Sequence, residues 1–164
     1  MLDTAYRKGV AKRGPEAIGP AYIGGQRGYI LLWAGRTAEA ASAINEAARV
    51  ILDRAPQGHP YRSDVTFWQG MVAYAQGNYS EAVRKYTAVV EYPSVEVDDT
   101  MPGRAPVACA LGTALLKTGR REEARSLLQR TCPIFDRRAA EQPLLHRWSR
   151  QARAELGIAV NGER

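Results

Sequence analysis

Few residues of this sequence have the types and the spacing that catalysis or metal binding requires. The two histidines, His59 and His146, stand far apart, and neither has a cysteine, serine or carboxylate at a spacing typical of a catalytic triad or a metal site. Cys109 and Cys132 match no ligand motif, and we expect them to be buried thiols in a reducing compartment. The sequence therefore predicts a non-enzymatic protein without a metal or a cofactor.

A glycine-rich segment, Gly24–Gly28, invites comparison with a phosphate-binding loop. The segment lacks the Lys-Ser/Thr pair that follows such a loop and the strand that precedes it, so we reject that interpretation. Several glycines on one helix are tolerated where neighbouring backbones come close together. We therefore expect these glycines at helix–helix contacts.

The composition is that of an ordinary globular chain. With 164 residues, 45% of them hydrophobic and 24% charged, the chain can form one domain with a sizeable core. Its net charge of +6 permits acidic peptides, anionic lipid or nucleic acid as partners but selects none of them. No apolar run approaches the roughly 18 residues of a membrane span, and the first residues lack the apolar stretch of a signal peptide. The simplest expectation is a cytoplasmic protein with no membrane association.

Four columns of identical residues recur at an offset of 42 residues. They hold Gly28, Gly70 and Gly112; Gly35, Gly77 and Gly119; Glu39, Glu81 and Glu123; and Ala40, Ala82 and Ala124. Because such agreement at one offset is very improbable by chance, the columns indicate an internal repeat. Apolar residues at 3–4 spacing on both sides of the second glycine predict two helices joined by a turn.

The repeat divides a single domain, 1–164, into six segments. They are an N-terminal helix (1–13), repeat one (15–56), repeat two (57–98), repeat three (99–141), a C-terminal capping helix (142–157) and a tail (158–164). The first segment aligns with the second helix of the repeats, so it is either a dedicated cap or the sign of a longer repeat array. We also predict a mobile acidic loop over 94–103 and a kink or break at Pro133.

Within each unit, a glycine is followed by a second glycine seven residues on, an alanine five later and a large apolar residue four after that: Ile44, Tyr86 or Leu128. This order resembles the tetratricopeptide repeat over about residues 15–157. The 42-residue unit, with His59 and Pro60 before its first helix, is similar to the kinesin-light-chain-like subtype. The resemblance implies an all-α fold, a right-handed α-solenoid of three helix-turn-helix repeats with flanking helices.

The resemblance also implies a function, that of a scaffold or interaction module that binds a peptide segment of a protein in its concave groove. In the family, the first helix of each repeat lines this groove. The matching positions are Tyr22, Tyr29, Trp33, Asp64, Phe67, Met71, Tyr74, Thr113 and Lys117, of which we expect about half to be shared core. The positions that pack one helix on the next are Gly28, Gly70, Gly112, Ala40, Ala82 and Ala124.

One specificity of the family is not expected here. Its carboxylate-clamp subclass places Lys and Asn at positions that in this chain are Gly25, Tyr29, Phe67 and Met71. Capture of a C-terminal carboxylate is therefore disfavoured.

Two other functions stay open at this stage. The chain can be a structural or regulatory segment of a larger multidomain enzyme or signalling protein, and it can self-associate as a homo-oligomer. Nucleic-acid contact through the arginine-rich C-terminal third is disfavoured, because acidic residues are interspersed there and only Phe135 and Trp148 are near for stacking.

Overall fold

The computed structural model describes residues 2–91, 104–137 and 139–159, and these residues are helical with no strand among them. The helices are α1 (Leu2–Arg13), α2 (Ile18–Trp33), α3 (Thr37–Arg54), α4 (Pro60–Ala75), α5 (Tyr79–Val90), α6 (Ala105–Lys117), α7 (Arg121–Asp136) and α8 (Pro143–Leu156), with a 3₁₀ helix at Ala139–Glu141. The all-α prediction is confirmed for this part of the chain, whereas the right-handed solenoid stays a prediction. Among the described residues, no helix combines the length and the apolar character needed to cross a membrane.

The repeated glycine of the second column ends the first helix of each pair. Gly35, Gly77 and Gly119 have φ values of 77°, 77° and 83°, in the left-handed region that a residue without Cβ adopts at little cost. After Gly35, the N–H of Arg36 donates to the Leu31 carbonyl at 2.9 Å, which satisfies a carbonyl at the end of α2. The glycine column is therefore explained by one backbone conformation used three times.

The first compact unit, Met1–Gly77, contains α1 to α4. Helix α2 packs along α3, and α3 packs against α4. Gly28 lies at the α2–α3 contact, where an added Cβ would stand 2.8 Å from Ile44 Cγ1 and 3.0 Å from Ala43 Cβ. Only glycine permits this approach of the two helices, and Ala40 beside it is fully buried.

The second compact unit, Asn78–Arg164, contains α5 to α8, and its α6 packs along α7. Gly112 repeats the role of Gly28, since an added Cβ would lie 2.9 Å from Leu128 Cγ. At the same helix pair, Cys109 of α6 and Cys132 of α7 form a disulfide with their Cα atoms 5.2 Å apart. The prediction of free thiols is wrong, because helix pairing places two cysteines 23 residues apart opposite each other.

Helix α7 runs through Pro133 to Asp136, so the predicted break at this proline is not present. Proline inside a helix removes one backbone hydrogen bond, at a cost of about 3 kcal/mol. Cys132, directly before this proline, and Phe135, two residues after it, are buried. Their packing holds the last turn in helical form and offsets the loss.

Helix α8 ends at Gly157, whose φ is 68°, as the sequence predicts. One of its arginines is buried, since Arg153 is only 1% exposed. Its guanidinium donates to both carboxylate oxygens of Asp136 on α7, at 2.7 and 2.9 Å. A buried arginine is tolerated where a carboxylate accepts in this paired geometry.

The predicted loop at 94–103 and most of the predicted tail lie outside the described residues.

Candidate peptide-binding surface

Rings from α2 and α4 form a continuous line within the first unit. The rings of Tyr61 and Tyr22 stack with their centroids 3.7 Å apart and an angle of 11°. Tyr22 lies 5.3 Å from Trp68, Trp68 lies 5.9 Å from Tyr29, and Tyr29 lies 5.0 Å from Trp33. At the other end, His59 lies 4.7 Å from Tyr61. We call this line the aromatic row: His59, Tyr61, Tyr22, Trp68, Tyr29 and Trp33.

The spacing of the residues explains how the aromatic row forms. On α2, Tyr22, Tyr29 and Trp33 are seven and four residues apart, so they share one face of the helix. On α4, Tyr61 and Trp68 are likewise seven apart. The start of α4 is fixed by the N–H of Tyr61, which donates to Nδ1 of His59 at 3.2 Å.

The aromatic row is partly open to solvent. Trp33 is 36% exposed, and Tyr22, Tyr29 and Tyr61 are half-buried, whereas Trp68 is buried between them. Burial raises the pKa of Tyr29 to about 12, so this side chain is a neutral phenol at physiological pH. Half-exposed rings on a buried aromatic floor are typical of protein-recognition surfaces.

A carboxylate lies on the aromatic row. The Tyr22 hydroxyl donates to Oδ2 of Asp64 at 2.8 Å, linking α2 to α4 at positions one repeat apart. Burial raises the pKa of Asp64, and the hydrogen bond from Tyr22 lowers it only in part. Burial and this hydrogen bond raise the pKa of Tyr22 in turn. Within the described residues no cation pairs with Asp64.

Four of the predicted groove residues, Tyr22, Tyr29, Trp33 and Asp64, therefore lie together. Three others of the same unit are buried in the core: Phe67, Met71 and Tyr74. Met71 is 0% exposed, so it offers no surface to a ligand in this conformation. We leave these three residues out of the candidate surface.

The two predicted groove residues of the second unit are already engaged there. Thr113 is buried, and its hydroxyl donates to the Cys109 carbonyl at 2.8 Å. The ammonium group of Lys117 donates to Oε2 of Glu155 at 3.1 Å. Neither residue enters the candidate surface described here.

Sequence analysis did not select Trp68, Tyr61 or His59 for the groove. Phe67 and Trp68 are equally buried, at 7% exposure each, and Trp68 belongs to the aromatic row through its ring contacts with Tyr22 and Tyr29, which helical spacing alone does not reveal. The seven-residue spacing from Tyr61 to Trp68, matching that from Tyr22 to Tyr29, is the sequence signal that groups these two rings on one face of α4.

Each unit also contains a groove at an equivalent repeat position. The groove of the first unit, of about 320 Å³, lies over α2, and that of the second, of about 570 Å³, lies over α6. Six lining positions of the first groove correspond to lining positions of the second groove that lie 84 residues, or two repeats, further along the chain. In order, Arg27, Leu31, Glu39, Ser42, Ala43 and Glu46 correspond to Leu111, Leu115, Glu123, Ser126, Leu127 and Arg130. In the first groove the charges pair locally, as Arg27 does with Asp3 at 2.6 Å, so this groove has no unmatched charge.

Asp136, His146, Ser149 and Arg153 lie close together at the end of α7, and their contacts join α7 to α8 without forming the arrangement of a catalytic triad. Nε2 of His146 lies 3.5 Å from Oδ1 of Asp136, which Arg153 already binds. The nearby Ser149 hydroxyl is buried and donates to the His146 backbone carbonyl at 3.0 Å, away from the imidazole. In the described part of the chain no group of three or more side chains could hold a metal ion.

Comparison with known families gives one match. The tetratricopeptide repeat family model matches residues 73–140, a stretch that includes the described helices α5, α6 and α7. This match supports a tetratricopeptide repeat protein, and such repeats generally mediate protein–protein interactions. No curated protein matches the sequence.

Proposed function

We propose that the protein is a non-catalytic interaction module that binds a peptide segment of a partner protein along the aromatic row. The observation that carries this proposal is the line of half-exposed rings on α2 and α4, ending at Trp33. Aromatic side chains contribute a large contact area and lose few rotamers on binding. The finer family features, the right-handed solenoid and the kinesin-light-chain-like subtype, are part of the same proposal.

The contacts among the rings favour binding because they limit the motion of each side chain before a ligand arrives. Tyr22 is held by stacking on Tyr61 and by its hydrogen bond to Asp64. The buried ring of Trp68 contacts the rings of both Tyr22 and Tyr29 and limits their motion. A partner therefore meets a preorganised surface, and less side-chain entropy opposes association.

Selection of peptides from a displayed random library on the purified protein tests this function. We expect enriched peptides whose affinity falls about tenfold on Trp33→Ala, because truncation removes an aromatic anchor. Ile30→Ala is the matched control, since Ile30 is 48% exposed on the same helix but lies outside the aromatic row. Library peptides that enrich no better than on an unrelated protein, or that bind Trp33→Ala unchanged, would contradict the proposal.

A second candidate is a structural or regulatory segment of a larger protein that self-associates. It is favoured by an apolar hollow of about 400 Å³ beside the exposed Ile30, where α1 and α2 meet. Helix α1 has no buried residue of its own. In this alternative a second copy covers the hollow.

The Cys109–Cys132 disulfide also bears on the cellular compartment of the protein. The expectation of a reducing cytoplasm rested in part on free thiols, and the structure contains the Cys109–Cys132 disulfide instead. Disulfides persist in oxidising compartments and are rare in the cytosol. We therefore propose that the protein resides in an oxidising compartment, where the disulfide of its second unit persists.

A further inference from the structure

We propose that the partner peptide carries an arginine or lysine whose cationic group binds Asp64, beside the stacked rings of the aromatic row. This inference rests on the peptide-binding function proposed above and names the chemistry of its ligand. The cation forms an ion pair with the carboxylate at the edge of the stacked Tyr22 and Tyr61 rings.

Asp64 is the feature that requires a cation. It is half-buried, and its one hydrogen bond within the described residues comes from a neutral donor, the Tyr22 hydroxyl. The nearest arginine in sequence, Arg62, donates instead to the carbonyls of Leu52 and Ala55, at 2.7 and 2.9 Å. A buried carboxylate without a cation carries a desolvation cost that an incoming positive group removes.

Other carboxylates of the chain show that cations are available for pairing. Glu16 lies 2.6 Å from Nη2 of Arg49, and Asp136 accepts two hydrogen bonds from Arg153. The chain has 23 Lys and Arg against 17 Asp and Glu, so a carboxylate need not lack a partner. Asp64 lies on the candidate surface, and the partner that the described residues give it is the neutral Tyr22 hydroxyl.

The rings beside Asp64 fix the position of its carboxylate. Tyr61 and Asp64 are three residues apart on α4 and share one face of the helix. The Tyr22 ring stacks on Tyr61 and its hydroxyl meets Asp64, so the carboxylate lies at the edge of this ring pair. The two rings cover each other's inner faces, so the carboxylate, and not a ring face, is the group that attracts the cation. Arginine fits best, because its planar group binds a carboxylate with two donors.

Charge complementarity excludes the other ligand classes at this surface. An acidic peptide, a nucleic-acid phosphate or an anionic lipid would bring a negative group against Asp64, which is unfavourable at short range in a partly desolvated site. The net charge of +6, which by itself permits such ligands, therefore does not decide the specificity of the aromatic row.

The experiment repeats the library selection on the wild type, on Asp64→Asn and on Asp53→Asn. Asp64→Asn removes the charge but keeps an oxygen that accepts from Tyr22. Asp53→Asn makes the same change in net charge at an exposed position of α3. We expect the wild type and Asp53→Asn to enrich peptides with Arg or Lys at one fixed position, and Asp64→Asn to lose that preference.

Affinities of one enriched peptide complete the test. Replacing its cationic residue by Gln is expected to weaken binding to the wild type about tenfold, and to change binding to Asp64→Asn little. Enriched peptides without a fixed cation, or an equal loss on both proteins, would overturn this inference and leave peptide binding intact. Failure to enrich any peptide on the wild type would instead overturn the proposed function itself.

Discussion

At the scale of single residues, the negative charge of Asp64, which we propose binds the cation of a partner, also lowers the stability of the first unit. Burial raises the pKa of Asp64 above its ordinary value, so the folded state binds a proton more tightly than the unfolded chain does. A group of this kind favours folding below its unfolded pKa, and that contribution is lost as the pH rises through its folded pKa. At neutral pH the ionised carboxylate therefore destabilises the first unit.

This linkage predicts that Asp64→Asn raises the free energy of unfolding at pH 7. The gain should shrink as the pH falls through the raised pKa of Asp64, because the wild-type carboxyl then also becomes neutral. Urea unfolding of both proteins at several pH values measures the difference. Asp53→Asn, which changes an exposed carboxylate, should show no such gain. A variant less stable than the wild type at pH 7 would contradict the account of Asp64.

Two glycines of α2 provide a second prediction at this scale. Gly28→Ala should lower the free energy of unfolding by about 1–3 kcal/mol, because its Cβ would lie 2.8 Å from Ile44 Cγ1 and 3.1 Å from the Ala40 carbonyl oxygen. The control is Gly19→Ala on the same helix, where the nearest atom, of Arg13, is 3.7 Å away. It should be neutral or mildly stabilising, by up to about 1 kcal/mol. Equal effects in chemical unfolding would mean that close packing at Gly28 is not the reason for glycine.

At the scale of helices and turns, much of the fold could be predicted because repeated glycines mark repeated backbone conformations. Gly35 and Gly119 end their helices with positive φ, a requirement that acts within a few residues and is readable in the sequence. The continuation of α7 through Pro133 could not be read in this way. It depends on Cys132 and Phe135, whose burial is decided by neighbours distant in sequence.

The candidate surface was predictable to a similar degree. Helical spacing identifies Tyr22, Tyr29 and Trp33, because a face of a helix follows from its period. On α4 helical spacing indicates Phe67 and Met71, which are buried without a ring contact to the aromatic row, whereas the equally buried Trp68 contacts Tyr22 and Tyr29. A helix packed against neighbours on several sides has more than one apolar face, and periodicity alone does not say which face stays open.

The disulfide between α6 and α7 gives a prediction at this scale. Protein purified without reductant should have no thiol that reacts with a thiol reagent after denaturation. Reduction should lower its free energy of unfolding by about 2–4 kcal/mol, since the bond joins residues 23 apart and restricts the unfolded chain. Reductant should have no effect on the Cys109→Ala/Cys132→Ala double variant, which is the control. Two reactive thiols in the unreduced protein would contradict the assignment of this bond.

At the scale of the whole molecule, the surface charges limit what electrostatics alone can explain. Arg36 pairs with Glu39, and Arg120 pairs with Glu123 at the equivalent repeat position, with both pairs exposed. Exposed pairs of this kind contribute little to stability and weaken with salt. The net charge therefore governs general solubility and encounter, whereas in our proposal specificity depends on Asp64, whose charge is partly desolvated.

The oligomeric state separates the two proposed functions. Among the described residues the exposed large hydrophobic side chains are Ile30 and Trp33, at 48% and 36% exposure. Stable interfaces bury about 1,200–2,000 Å² in total, far more than two side chains supply. We therefore expect light scattering after size exclusion to give the monomer mass of 18.0 kDa, unchanged on dilution. A dimer mass that Ile30→Ala or Trp33→Ala returns to the monomer would favour self-association, and it would place a second copy where we have proposed a cationic peptide.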